Sequence, residues 1–135
     1  MTTWLPRWIA SLALVLPFVP VCAIEPDAKE IARLDIGQTV IVKNGTVLAV
    51  EAFEGTNNAI ERGGSLAREG AIMIKVAKPN QDMRFDVPVI GLETIKIAAK
   101  SKLRAIAVEA GKTLLLEREA LVEVAERARI SIVAR

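Results

Sequence analysis

Residues 38–51 read QTVIVKNGTVLAVE. Two β-branched runs, Gln38–Lys43 and Thr46–Glu51, flank Asn44-Gly45. Both central residues of a type I′ turn need positive φ, so this pairing predicts an antiparallel β-hairpin. Working outward, Ile60, Gly63, Gly64 and Ala67 fall at helical spacing after Gly55. A glycine inside a helix costs about 1 kcal/mol relative to alanine, so this helix is weak or broken, or another backbone approaches it closely. Ala71–Val76 and Ala105–Glu109 are apolar runs of the kind that form buried strands. Ile95, Ala98, Ala99 and Leu103 mark a second helix, with Lys102 near its end. Thr113–Leu116 continues after Gly111, and Leu121, Val124, Ala125 and Ala128 mark the apolar face of a last helix. Its polar face carries Glu123 and Arg127 in the favourable i,i+4 order, and Ile130–Val133 makes a terminal strand. The expected fold class is α/β: one domain, a mixed sheet containing the Asn44-Gly45 hairpin, and about three covering helices.

Composition narrows the chemistry. The chain has 135 residues, of which 52% are apolar and 25% charged, a globular balance. Net charge is only +2, which gives no support for nucleic acid as a partner held by bulk positive charge. No histidine is present, so Ser-His and Cys-His nucleophilic pairs are excluded within the chain. Cys22 is the single cysteine, which excludes an internal disulfide and zinc sites built on Cys and His. Carboxylates, lysines, arginines, hydroxyls and backbone groups remain, and oxygen ligands favour a hard cation such as Mg2+.

Residues 1–26 are a different kind of sequence from 27–135. Ile9–Ile24 carries no charge, follows Arg7, and ends near Val21-Cys22-Ala23, a layout like a signal peptide. Sixteen residues fall short of the roughly 20 needed to cross a bilayer, and Pro17 and Pro20 weaken a regular helix. The expectations are an alternative or unrelated beginning to a cytoplasmic domain or, as the alternative, a chain anchored or exported through residues 9–24.

The densest chemistry lies in Lys75–Gly91, KVAKPNQDMRFDVPVIG. It packs Lys75, Lys78, Gln81, Asp82, Arg84 and Asp86 into one stretch that also holds Pro79 and Pro88. Asp82, Arg84 and Asp86 alternate with Met83, Phe85 and Val87, which predicts an extended segment with charges on one side. The aspartates would then stand roughly 13 Å apart, too far to share an ion. One would serve a metal or the attacking water, and the other would hold Arg84 to grip phosphate. A helical turn would instead bring them within about 6 Å, where both could bind one metal. Alternating charge on an edge strand is also a common guard against aggregation. A lysine and an arginine for phosphate charge, with carboxylates for metal and water, make up the minimum kit for metal-assisted phosphoryl chemistry.

One internal echo stands out. Leu48-Ala-Val-Glu-Ala52 and Ile106-Ala-Val-Glu-Ala110 are nearly the same five residues. Two buried strands can coincide by chance. The sharper expectation places Glu51 and Glu109 at strand ends facing one crevice, where α/β sheets bind ligands.

Several ordered strings carry a family resemblance: RLDIGQTVIVKNGTVLAVEAF (33–53), Glu54-Gly55-Thr56, KVAKPNQDMRFDVPVIG (75–91), Thr94 and AVEAGKT (107–113). From about Asp27 onward the chain resembles the C-terminal half of the LpxI-type UDP-2,3-diacylglucosamine pyrophosphatases. The resemblance implies hydrolysis of the pyrophosphate of UDP-2,3-diacylglucosamine to UMP and lipid X, Mg2+ dependence, and a place in lipid A synthesis at the cytoplasmic face of the inner membrane. It implies a critical aspartate at Asp82 or Asp86, with Arg84 beside them and the aspartates as metal ligands. Substrate-binding positions are expected at Lys75, Lys78, Gln81, Glu54, Gly55, Thr56, Glu109, Lys112 and Thr113. Family members carry a further domain before this one, with the cleft between the two. A separate N-terminal domain and a second copy of the chain are therefore expected partners, as is peripheral contact with the membrane. A nucleotide- or lipid-binding domain without catalysis is the alternative function.

Overall fold

A computed structural model describes residues 25–135, so the stretch 9–24 and nearly all of segment 1–26 lie outside the described residues. The chain runs α1 (Glu25–Arg33), β1 (Thr39–Lys43), β2 (Thr46–Val50), α2 (Thr56–Ala67), β3 (Ile72–Lys75) and β4 (Val89–Ile90). It continues through α3 (Leu92–Lys100), β5 (Ala105–Val108), β6 (Leu114–Leu115), α4 (Arg118–Arg127) and β7 (Ser131–Ala134). The hairpin forms where the sequence predicts it, with Asn44 at φ 50° and Gly45 at φ 80°. Lys43 pairs with Thr46 and Val42 with Val47, and the register then shifts between Ile41 and Val42.

The main sheet has the order β2-β1-β3-β5-β7. β1 is antiparallel to β2 and β3, while β3, β5 and β7 are parallel. This mixed arrangement puts the carboxyl ends of β2, β3, β5 and β7 along one edge. β4 and β6 form a separate parallel pair.

Alternation along the strands divides the core into two layers. Ile41, Met73 and Ile106 pack with Ile60, Ile95 and Leu121 of α2, α3 and α4. On the other face, Val40, Val42, Ile72 and Ile74 pack against Ala28 and Ala32 of α1. Each fully buried isoleucine contributes about 1.5–3 kcal/mol of burial. The fold is the mixed α/β domain expected, with three helices on one face and one more, α1, on the other. α1 escaped the sequence reading although Ala28, Ile31 and Ala32 recur at helical spacing and pack on this face.

The glycines of α2 have a packing reason. A Cβ at Gly63 would stand 2.5 Å from the Ile41 Cβ, and one at Gly64 would stand 2.6 Å from the Ser101 Cβ. Bare backbone at these two positions lets α2 press onto β1 and onto the end of α3.

Candidate functional site

β2, β3 and the loop after β3 end together at the carboxyl edge, and their last residues line a cavity of about 330 Å³. Glu51, Lys75, Lys78 and Asp86 supply its charges. Ile36–Gln38 and Val87–Val89 form its walls. Lys75 points to the α2 face and is only 7% exposed. Its Nζ donates to the Thr56 hydroxyl at 2.7 Å, and that hydroxyl donates to Glu51 Oε1 at 2.9 Å. Burial lowers the Lys75 pKa from its ordinary value, and the charges of Glu51 and Asp86 pull it back up. Glu51 Oε2 is buried and accepts no hydrogen bond from the described residues.

Thr56 opens α2, whose first turn holds no acidic residue and has no side-chain cap. The unpaired amides and the positive end of the helix dipole therefore lie beside the Lys75 ammonium, a combination that attracts anions. Lys78 pairs with Asp35, and this hydrogen bond raises the lysine pKa.

The Asp82–Asp86 stretch corrects one expectation. It is a turn, not an extended strand: the amides of Phe85 and Asp86 both donate to the Asp82 carbonyl, at 3.0 and 2.9 Å. The period-two pattern gives way to this turn, and a surface ion pair between Asp82 and Arg84 accompanies it. Arg84 Nε donates to Asp82 Oδ1 at 2.9 Å and Nη2 donates to Oδ2 at 2.7 Å. The Arg84 amide also donates to Oδ1, at 3.1 Å. These bonds, the side-chain pair first, lower the Asp82 pKa, while Arg84 stacks over Phe85 with 5.3 Å to the ring centroid. The two aspartates thus take separate positions, with Asp82 holding Arg84 at the surface and Asp86 on the cavity wall.

The remaining expected positions divide. Glu54 pairs with Arg62, whose hydrogen bond lowers the Glu54 pKa, and Arg62 also donates to the Val50 carbonyl at 2.9 Å. This brace closes the turn from β2 into α2, where Gly55 sits at φ 85°. Gln81 accepts from the Lys78 amide at 2.9 Å, so it shapes the loop rather than the cavity. Glu109 lies at the same sheet edge as Glu51 but on the opposite face, because Ala107 belongs to the α1 layer and Val108 to the other. The shared crevice expected for the two glutamates therefore does not form. Lys29 at 2.6 Å, Lys112 at 2.8 Å and the Ala77 amide at 3.0 Å hold Glu109. Desolvation disfavours its charge, yet these three donors outweigh it and pull the carboxyl down to about 2. Thr113 Oγ1 is buried with no partner among the described residues. Sequence reasoning set Glu51 apart only through its echo, and nothing in the local pattern marked Asp35.

The pocket, lined by two lysines and two carboxylates, lies at the carboxyl edge of a mixed α/β sheet, the edge where such sheets bind ligands. The chain belongs to the LpxI family: the family's profile, described as the LpxI C-terminal domain, matches residues 24–133. Over 107 residues it is 43% identical to the UDP-2,3-diacylglucosamine pyrophosphatase LpxI of Caulobacter vibrioides. That match covers 73% of this chain and 38% of the relative, so the chain spans less than half of the curated protein it resembles.

Proposed function

We propose that this chain is the C-terminal domain of a UDP-2,3-diacylglucosamine pyrophosphatase. Water attacks one phosphorus, the bond to the bridging oxygen breaks, and UMP and 2,3-diacylglucosamine 1-phosphate leave. The observation that carries the reading is the buried Lys75, tied to Thr56 at the open end of α2, with Lys78, Glu51 and Asp86 lining the same cavity. Two ammonium groups and helix amides hold pyrophosphate oxygens, which carry more charge as the bridging bond breaks. Lys75 is pre-positioned for this by its hydrogen bond and needs no reorganisation. A neighbouring domain and peripheral contact with the inner membrane belong to the same reading. They supply the room for two acyl chains that a cavity of about 330 Å³ does not have.

The cavity's donors fit Mg2+. Glu51 and Asp86 offer carboxylate oxygens only, and Glu51 Oε2 is a buried acceptor left over by the protein. Among the described residues no three acidic, thiol or imidazole side chains cluster, so one or two carboxylates together with substrate phosphate would hold the ion. The metal would polarise a phosphoryl oxygen and neutralise charge. Asp86 is then the critical aspartate, and Asp82 serves Arg84.

The test is UMP release from UDP-2,3-diacylglucosamine, with and without Mg2+, by the chain alone and with the relative's N-terminal region added. Asp86→Ala is expected to abolish release and Asp82→Ala to retain most of it. Full activity of Asp86→Ala in an active preparation would sink the assignment.

No helix among the described residues is long and apolar enough to cross a membrane.

A further inference from the structure

The opposite edge of the sheet carries a second concentration of charge. Lys43 ends β1, Arg68 and Lys102 follow α2 and α3, Lys100 closes α3, and Arg104 and Arg129 precede β5 and β7. The topology brings all six to the amino ends of the parallel strands. Among the described residues none of the six meets a carboxylate in an ion pair. Seven other cations do, including Lys29, Arg62 and Lys112. Pairing is thus common in this domain, Arg127 with Glu123 at this same end of α4 included, and none of the six takes part in it.

Three of these cations converge on a cavity of about 450 Å³ between the ends of α2 and α3. Arg68, Lys100 and Lys102 line it with the hydroxyls of Ser65 and Ser101, and Glu61 supplies the single carboxylate. The close approach of Gly64 to Ser101 draws the two helix ends together and creates it. Cations commonly follow helices to offset the dipole, but these helix ends are already served. Lys43 Nζ donates to the Ala67 carbonyl at 2.9 Å. The amides of Ser101, Lys102 and Leu103 close the last turn of α3. Moreover, Arg68 at φ 67° and Lys102 at φ 54° both hold a positive φ, where glycine is the usual residue. A long cation stands in that place twice on one rim.

We infer that the cavity between the carboxyl ends of α2 and α3 is a second anion site, one that takes a phosphoryl group, either on a soluble phosphate ester or in a lipid headgroup. Three cations against one carboxylate leave a surplus of two positive charges, which the negative ends of the α2 and α3 dipoles reduce to about one. The remaining positive charge opposes that of a phosphate near neutral pH, about −1.5 to −2. Two serine hydroxyls supply donors between the cations. The site is separated from the Lys75 cavity by the length of the sheet and does not depend on the pyrophosphatase reading.

The test uses the whole 15N-labelled chain titrated with inorganic phosphate and followed by NMR, with no activity measured. Saturating shifts are expected at the amides of Ser65, Ser101 and Lys102. Arg68→Gly with Lys102→Gly is expected to weaken binding at least about tenfold. Glycine suits both backbone angles, so melting temperature should hold or rise. Should that pair fail to fold, Lys100→Gln removes a third cation at an ordinary helical position, with the same weakening expected in smaller degree. Flotation with phosphatidylglycerol vesicles, against phosphatidylcholine alone, separates the sources. Binding to the anionic vesicles that the glycine pair abolishes assigns the headgroup, and saturable phosphate binding without it assigns a soluble ester. Shifts confined to Thr56 and Lys75, or no saturation with either probe, would overturn the site.

Discussion

Glu51 and Glu109 stand fourth in two nearly identical pentapeptides on one edge of one sheet, yet their surroundings differ in kind. Glu109 is saturated: two ammonium groups and one amide share its oxygens, and it ties α1 and the loop after β5 to the loop after β3. Glu51 spends one oxygen on Thr56 and keeps the other buried and free of protein donors, while the residue lines a cavity with Lys75, Lys78 and Asp86. A carboxylate whose donors come from its own fold stabilises that fold. One that stays unsatisfied at a cation-lined cavity is a cost that a ligand can offset. The contrast gives each glutamate a different role, and it can be broken at either end.

The largest effect is expected at the partner of Glu51. Lys75→Met removes the buried cation while keeping its volume, and UMP release should fall by about a thousandfold, the upper range for losing one charge-stabilising donor. Melting temperature should fall as well, because Glu51 and Asp86 lose the positive charge beside them. Turnover that persists alongside a lower melting temperature would turn Lys75 into a structural residue. Next, Glu51→Gln should cut release by about a hundredfold with an unchanged thermal midpoint.

Glu109→Gln should show the reverse, with kcat intact and stability reduced. The carboxyl is near 2 in the folded chain against an ordinary 4.5, so its contribution is complete above pH 4.5 and is lost as pH falls towards 2. Its size is about 2–3 kcal/mol, or about 10 °C in melting temperature for a domain of this length. Urea unfolding of wild type and variant from pH 6 to pH 2 checks it, with the two midpoints expected to converge at the acid end. If the midpoints stay equal at pH 6, Glu109 is no brace. The smallest effect belongs to Asp82→Asn, which loosens an exposed pair with Arg84 and should leave melting temperature where it is.

Some of this was legible in the chain itself. The Asn44-Gly45 turn, the apolar runs of β3 and β5, and the absence of histidine follow from local conformational preference and residue chemistry, and the structure agrees with them. The glycines of α2 announced a close approach without naming the neighbour, which proved to be Ile41 and Ser101. The D-x-R-x-D alternation misled, because a period-two pattern this short does not by itself impose an extended backbone. α1 carried Ala28, Ile31 and Ala32 at helical spacing, yet lay in a short segment dominated by charged residues.

What the sequence determined by itself was a short list of usable groups and a mixed α/β fold, because turn chemistry and hydrophobic period act over a few residues. Only the tertiary structure decided which groups meet. Lys75, Thr56 and Glu51 converge because β2 runs parallel to β3 with β1 between them, and because Lys75 points to the α2 face. The strand echo placed Glu109 on the same edge, but side chains one residue apart along a strand point to opposite faces. That single alternation, visible only once register is known, separates the glutamate that braces the domain from the one that lines its cavity.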